Sequence, residues 1–493
     1  MAPFRAWKNV LSFPIDRQKK NLSQQIENGI VHEISNGRLT PGMLLPGYRE
    51  LASLLGVSRN TIAAVYTEMA GKGILKSVKG KGTLVADHIP HQRDISIGKI
   101  AHKQKLSFTF NDFNGEIVTT EVPPGRWQVK ADDGFPDPKL APSGKFVATY
   151  KLMSFRSTRQ KKAEYNSGNS FRQLFSEAFR MLRTRRGLHM DDSNLCIIIS
   201  SKMALYMIAQ TLLQKGDVVA VEDPGGAICW QTFQRAGATL LPVQVDSEGI
   251  CTDILERELQ GKKIKAVYIS PSCQYPTTAT LSQERRKHLI ALSERYGFAI
   301  IETDYNHEFS FTPAATLPLA SNNIEGNVIY LTNLSRLMAP LNLICCVAGP
   351  AAFIKSLHAL YYSIYQRADA VLELTVADML KTDVIGRAAR ASLREYQRKR
   401  DKMIAHIEKH LHPLVSTNVP DTGLALWMVP DRRFNADDIR KHLLEIDIWI
   451  PPANLIAYSK HPPNALRIGY ASLSPRESIN IIEAIADVLA HLH

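Results

Sequence analysis

The sequence predicts an α/β protein that carries a small, basic helical module at its amino-terminal end. Three observations predict it. From Gly134 onward, short apolar runs alternate with helical patterns; before residue 88, three short helical patterns run into a glycine-rich hairpin; and the charge is concentrated at one end. Residues 1–105 hold 16 Lys or Arg against 7 Asp or Glu, so most of the formal +13 lies in the first fifth of the chain. A basic end on a near-neutral body is the electrostatic footprint of phosphate binding.

Leu22, Ile26, Ile30 and Ile34 recur every four residues, which is one face of a helix, with Gly37 as its stop. A second helix is predicted over 48–55, closed by Gly56. Ser58 reads as the N-cap of a third, with Ile62, Val65 and Met69 facing inward and Gly71 or Gly73 ending it. Strands at 74–77 and 83–85 flank the turn 78–82, whose glycines permit a tight reversal. Three helices followed by a basic hairpin is the order of a winged helix-turn-helix, in which the start of the third helix enters the major groove of double-stranded DNA. Here that start is Ser58, Arg59, Asn60 and Thr61, residues suited to phosphate and base-edge contacts, while Lys79 and Lys81 tip the wing.

After Gly134 the predicted strands are 196–199, 218–221, 239–243, 266–269, 299–301 and 328–331, separated by helices such as 202–213 and 283–296. Strand alternating with helix implies a mostly parallel sheet buried on both faces. The expected units are a DNA-binding domain at 15–88, a polar linker at 89–129, and a large domain at 130–493 whose smaller subdomain spans about 370–493. Apolar residues make up 45% and charged residues 22%, which excludes a disordered or fibrous chain. No eighteen apolar residues run together and residues 1–20 show no signal-peptide core, so no membrane span and a cytoplasmic location are expected. The six cysteines lack paired metal spacing, and reduced thiols without a metal site are expected. Cys345 and Cys346 lie in the apolar run 343–347, where a free thiol packs as a small hydrophobe.

Residues 20–87 resemble the GntR-type winged-helix domain, through Pro41-Gly42, Arg49-Glu50-Leu51-Ala52, Ser58-Arg59 and Gly82-Thr83. That resemblance implies DNA contact by Arg49, Ser58, Arg59, Thr61 and the wing, including Gly82 and Thr83. The rest resembles a fold-type I aminotransferase domain. Its landmarks are GFPDPKLAP (134–142), GDVVAVEDPG (216–225), PSCQYPT (271–277), IIETDYNHEF (300–309), LSRLMAPLNL (334–343) and LRIGYA (466–471). The whole chain is thus similar to MocR-type regulators of the GntR superfamily, which implies a homodimer.

Members of that family hold pyridoxal phosphate on a lysine that follows serine; the matching pair here is Ser335-Arg336. A guanidinium stays protonated and is too poor a nucleophile to form a Schiff base, so no catalytic residue is assigned. By the same resemblance, Thr303 replaces the carboxylate that pairs with the pyridinium nitrogen, and Asp304 beside it should face the other way on an extended segment. Gly226 replaces the stacking aromatic, Ser200 the glycine of the phosphate turn, and Leu343 a phosphate-binding arginine. No covalently bound cofactor is expected. The candidate pocket consists of Lys202, Tyr275, Asp304, Tyr305, Ser335, Arg336 and Arg467, and its cations favour an anionic effector. Arg467 either grips a ligand carboxylate by a bidentate fork or satisfies backbone carbonyls between subdomains. A sensing regulator, an aminotransferase or a pyridoxal phosphate sensor using another lysine, and a purely architectural DNA-binding protein are the competing readings.

Overall fold

The protein's structure, a computed structural model, describes residues 7, 11, 13–17, 21–78, 80–86, 125, 127–159, 168–312, 317–338, 344–365, 369–452, 455–458 and 462–492. The chain divides into two compact units, residues 1–114 and 115–493. The expected linker at 89–129 lies largely outside the described residues.

In the first unit, α1 (Leu22–Ser35), α2 (Tyr48–Leu55) and α3 (Arg59–Gly71) precede β1 (Leu75–Val78) and β2 (Gly82–Val85), which pair antiparallel. Ile26, Ile30, Leu51, Ile62, Val65, Met69, Leu75 and Val85 close one core. The turn between α2 and α3 is built by Gly56, which ends α2 at φ 64°, and by Ser58, whose hydroxyl accepts from the Thr61 N–H at 3.1 Å. Two carboxylates on α1 face inward, against the simple apolar stripe; Glu27 takes Lys72 at 2.6 Å and Glu33 takes Arg38 at 3.1 Å. Each buried acid thereby keeps a counterion.

The second unit begins with β3 (Val129–Lys130), α4 (Ser143–Arg159) and α5 (Asn169–Arg186). Its central run is β4 (Leu195–Ile198), α6 (Ser201–Leu212), β5 (Val218–Asp223), α7 (Ala227–Arg235), β6 (Thr239–Asp246), β7 (Gly249–Ile250), α8 (Thr252–Leu259), β8 (Ile264–Ile269), α9 (Gln283–Tyr296), β9 (Ala299–Thr303), β10 (Val328–Asn333) and β11 (Cys345–Ala348). It ends with α10 (Ala351–Ile364), α11 (Ala370–Lys381), α12 (Val384–His410), β12 (Val415–Thr417), β13 (Ala425–Pro430), α13 (Ala436–Glu445), β14 (Ile448–Trp449), β15 (Leu466–Gly469) and α14 (Pro475–His491). β4 to β11 form one sheet in the order β4-β11-β10-β9-β8-β5-β6-β7. The pairs β10/β9, β9/β8, β8/β5 and β5/β6 are parallel, and β11 and β7 run against their neighbours. β4 and β10 are buried on both faces, which accounts for their continuous apolar runs, whereas β6 alternates buried and exposed residues.

A second core gathers around the antiparallel sheet β12-β13-β15 with α12, α13 and α14. α11 packs through Val376, Ala377, Met379 and Leu380 into a core built on the eight-stranded sheet. The arginine-rich α12 is not only a solvated face: Arg400 is buried, stacks 4.3 Å from the Phe311 ring centre and donates to the Pro420 carbonyl. Cys345 and Cys346 lie on β11 as buried thiols, and all six cysteines are free.

One turn carries conformational strain. Thr278 has φ 64°, a region that β-branched residues avoid, and its buried Oγ1 lacks a hydrogen-bond partner among the described residues. Thr278→Gly should relieve both and stabilise the protein by about 1 kcal/mol net of the flexibility that glycine adds to the unfolded chain. The check is the melting temperature, which should rise for Thr278→Gly and rise less for Thr278→Ala, since alanine keeps the strained backbone.

Candidate nucleic-acid interface and ligand pocket

At the amino-terminal end of α3, Ser58, Arg59 and Asn60 are exposed, as is Arg49 on α2. Ser58 has a structural duty: its hydroxyl caps α3 and meets the Thr61 hydroxyl at 2.8 Å. The hairpin turns on Gly80 and Gly82, whose φ values of 80° and 109° would strain any side chain. Lys81 and Gly82 are exposed there. Thr83 departs from the expected surface role, because its side chain is buried at the base of the wing and its carbonyl accepts from the Leu45 N–H at 2.8 Å. Lys79 lies outside the described residues. The exposed set offers two guanidiniums, one ammonium and small polar groups on one module.

In the large unit, the carboxyl ends of β5, β8, β9 and β10 and the amino end of α6 surround a cavity of ≈ 280 Å³. Open α/β sheets place ligand crevices at such ends. Each strand delivers a side chain within one residue of its carboxyl end: Glu222, Ser270, Thr303 and Asn333. Trp230, Tyr268, Tyr275 and Tyr305 supply aromatic wall. Ser200, which opens the turn into α6, holds φ 74°, a glycine-like conformation occupied by serine.

Five of the pocket residues expected from sequence line this cavity: Lys202, Tyr275, Tyr305, Arg336 and Arg467. Two do not. Asp304 turns to the opposite side of its segment, where it pairs with Arg186 at 2.6 Å and accepts from Tyr330 at 2.7 Å and Ser272 at 2.7 Å. Burial alone would push this carboxyl up, but the Arg186 and His307 charges and the hydrogen bonds from Ser272 and Tyr330 together outweigh it and hold the group below the usual carboxylate range. Ser335 is withdrawn as well, donating to Glu308 Oε2 at 3.1 Å, the same oxygen that takes the Arg336 N–H at 2.8 Å. Glu308 thus pins the turn and leaves the residue-336 side chain to face the cavity. Leu343 lies outside the described residues.

Arg336 donates to Asn306 Oδ1 and, at 3.0 Å, to the Gly134 carbonyl, with the Phe135 ring 5.8 Å from its guanidinium. Arg467 donates to Asp133 Oδ1 at 2.7 Å, the Pro276 carbonyl at 2.6 Å and the Asp133 carbonyl at 3.3 Å. It therefore does satisfy backbone carbonyls, and it also holds a carboxylate from its own chain. Although burial opposes its charge, Asp133 together with the neighbouring Tyr275 and Cys273 keeps the guanidinium above its ordinary range. Thr303 shares its hydroxyl with Ser270 at 2.8 Å and offers no charge. Lys202 has no hydrogen bond or ion pair among the described residues. Asp133, Phe135, Asn306 and Glu222 were not singled out by sequence reading; the acidic pair Asp132-Asp133 before the GFPDP stretch was the available signal, a counter-charge for the pocket arginines.

Glu222 is buried at the end of β5, and burial pushes its carboxyl up to about 8 from an ordinary 4.5. Between those values the folded protein keeps a proton that the unfolded chain has released. Folding stability should therefore fall as pH rises from about 5 to 8. In Glu222→Gln the part of this decline due to Glu222 should vanish, which thermal melting of both proteins across that range will show. Glu302, raised to about 7 by burial and Asp304, leaves a residual decline of the same sign that ends near pH 7.

Comparisons with known proteins agree with this anatomy. Residues 22–85 match the family described as bacterial regulatory proteins, gntR family, and residues 153–485 match aminotransferase class I and II. The probable rhizopine catabolism regulatory protein MocR of Rhizobium meliloti is 23% identical over 94% of this chain and 93% of its own. The HTH-type transcriptional regulator TauR of Rhodobacter capsulatus is 24% identical over 95% of this chain and 96% of its own. Among solved structures, an archaeal alanine:glyoxylate aminotransferase superposes with a TM-score of 0.68 at 24% identity, covering 74% of this chain and 91% of that one, a likeness of fold. The chain belongs to the aminotransferase class I and II family and joins to it a gntR-family regulatory module, the two-part plan of MocR-type regulators.

Proposed function

We propose that this chain is a cytoplasmic, homodimeric transcription regulator that binds double-stranded DNA through residues 22–85 and uses its aminotransferase-like unit to sense an anionic ligand, without turnover. The observation that carries the reading is the exposed start of α3 with Arg59, next to a wing that presents Lys81, on the basic end of the chain. The relatives MocR and TauR, which match over nearly the whole of this chain, are named as regulators, which supports the same reading.

The absence of turnover rests on the pocket residues. Where the family resemblance requires a lysine, Arg336 is held by Asn306 and the Gly134 carbonyl. Thr303 cannot pair ionically with a ring nitrogen, and Gly226 offers no stacking face. This donor set does not fit covalently held pyridoxal phosphate. The charge that remains is positive: Lys202 and Arg336 favour an anion, and Lys202 is the one lysine among the lining residues.

DNA affinity should fall steeply with salt, because each phosphate contact releases counterions, about 0.9 in the logarithmic slope per contact. Arg59→Ala should weaken binding to the cognate site more than to random DNA, whereas Lys81→Ala should weaken both alike. Equal losses for both variants on both DNAs, measured by fluorescence anisotropy, would remove Arg59 from base readout. Footprinting with and without added small anions separates a sensor from a purely architectural protein, and native mass spectrometry reads the subunit number.

The purified protein should be colourless above the protein absorption band, and added pyridoxal phosphate should produce no saturable visible band. Arg336→Lys alone should recover little, since Thr303 and Gly226 remain. A stable yellow complex fixed by borohydride onto one specific lysine, Lys202 foremost, would overturn this part of the reading.

A further inference from the structure

Arg467 faces the cavity from β15, yet one edge of its guanidinium is already taken by the chain itself. Nε donates to Asp133 Oδ1 at 2.7 Å and Nη2 to the Asp133 carbonyl at 3.3 Å, while the Tyr275 ring centre lies 4.8 Å from Cζ. Both side chains are buried, 5% and 10% exposed. Asp133 belongs to the short strap 131–137, of which Asp133 and Phe135 line the cavity.

Asp133 is not needed to hold that strap down. Its neighbour Asp132 already does so: one oxygen takes the N–H groups of Gly134 at 2.8 Å and Phe135 at 3.0 Å, the other takes the Ser472 hydroxyl at 2.6 Å, and its carbonyl takes the Gly469 N–H at 2.9 Å. The Tyr396 hydroxyl fixes the far end by hydrogen bonding to the Asp137 N–H at 3.0 Å. A carboxylate placed on a cavity-facing guanidinium, beside a strap that is independently clamped, occupies the position that a guest's carboxylate would occupy.

We infer that Asp133 is a built-in competitor of the cavity's ligand. On the reading that this cavity takes a ligand, that ligand is a planar or aromatic carboxylate. Its carboxylate displaces Asp133 from Arg467, and its body lies against Trp230, Tyr268, Tyr275 and Tyr305. Asp133 sets the threshold for entry: a simple monocarboxylate must replace a bond that the protein already makes, so it gains little.

The test uses the full chain and benzoate as the probe, titrated by calorimetry. In Asp133→Asn the guanidinium loses its ionic partner, and benzoate should bind at least about tenfold more tightly than to the wild type. The variant should melt lower than the wild type without benzoate and recover more on its addition. The gain should disappear in the double variant Asp133→Asn/Arg467→Met. Should Asp133→Asn fail to fold, Asp133→Ser carries the same comparison. Equal affinity in wild type and single variant, or a gain that survives in the double variant, would overturn the inference. A gain that appears without any effect of benzoate on DNA binding upholds the role of Asp133 and retires the sensing reading alone.

Discussion

Asp304 and Arg186, 2.6 Å apart and almost wholly buried, form the contact on which the cavity depends. Arg186 is the last residue of α5, and Asp304 also takes the hydroxyls of Tyr330 on β10 and Ser272 beyond β8. One carboxylate thus ties a helix, a strand and a loop at the end of the sheet. Removing either partner of such a pair leaves an uncompensated buried charge, typically about 3–5 kcal/mol. Successive residues on an extended segment point to opposite sides, so anchoring Asp304 on one side commits Thr303 and Tyr305 to the other. The cavity wall inherits its geometry from an ion pair that never touches it.

The cavity itself combines strong charges with few open valences. Arg336 is spent on Asn306 and the Gly134 carbonyl, and Arg467 on Asp133 and the Pro276 carbonyl. Glu222, which burial keeps protonated near neutrality, adds no negative charge below its raised range. Such a site is arranged to hold its own shape. That suits a pocket whose output is a change of conformation rather than a chemical product, since turnover needs donors aimed at a reacting atom.

Much of this was legible in the sequence. The three helices and the hairpin follow from apolar spacing, the Ser58 cap and the glycines, all local signals. Buried parallel strands announced themselves as apolar runs, and β5, β6, β8, β9 and β10 appear where those runs lie, each extended by up to three polar or mixed residues at an end. The outward turn of Asp304 followed from period two. What local pattern could not reveal were partners far along the chain: Arg186 is 118 residues from Asp304, and Asp133 is 334 residues from Arg467. Thr83 was misplaced because the wing's surface signal is carried by Lys81 and Gly82, while the next position turns into the core with the alternation of the strand. Ser335 was misplaced because Glu308, which draws its hydroxyl away, comes from a different strand-end loop.

The second core of the large unit meets the eight-stranded sheet through guanidinium-to-carbonyl bonds as well as backbone bonds such as that from the Gly423 N–H to the Phe309 carbonyl. Arg467, on a strand of the second core, reaches the Pro276 carbonyl beyond β8, and Arg336, beyond β10, reaches the Gly134 carbonyl. Apolar packing at a seam resists parting in proportion to the area exposed, whereas a hydrogen bond made by a charged guanidinium is worth about 1.5–3 kcal/mol and can be exchanged for one to water or to a guest. The seam therefore combines directional, exchangeable bonds with continuous structure, since α12 runs from the core of the sheet at Ile385 into the second core at Ala389.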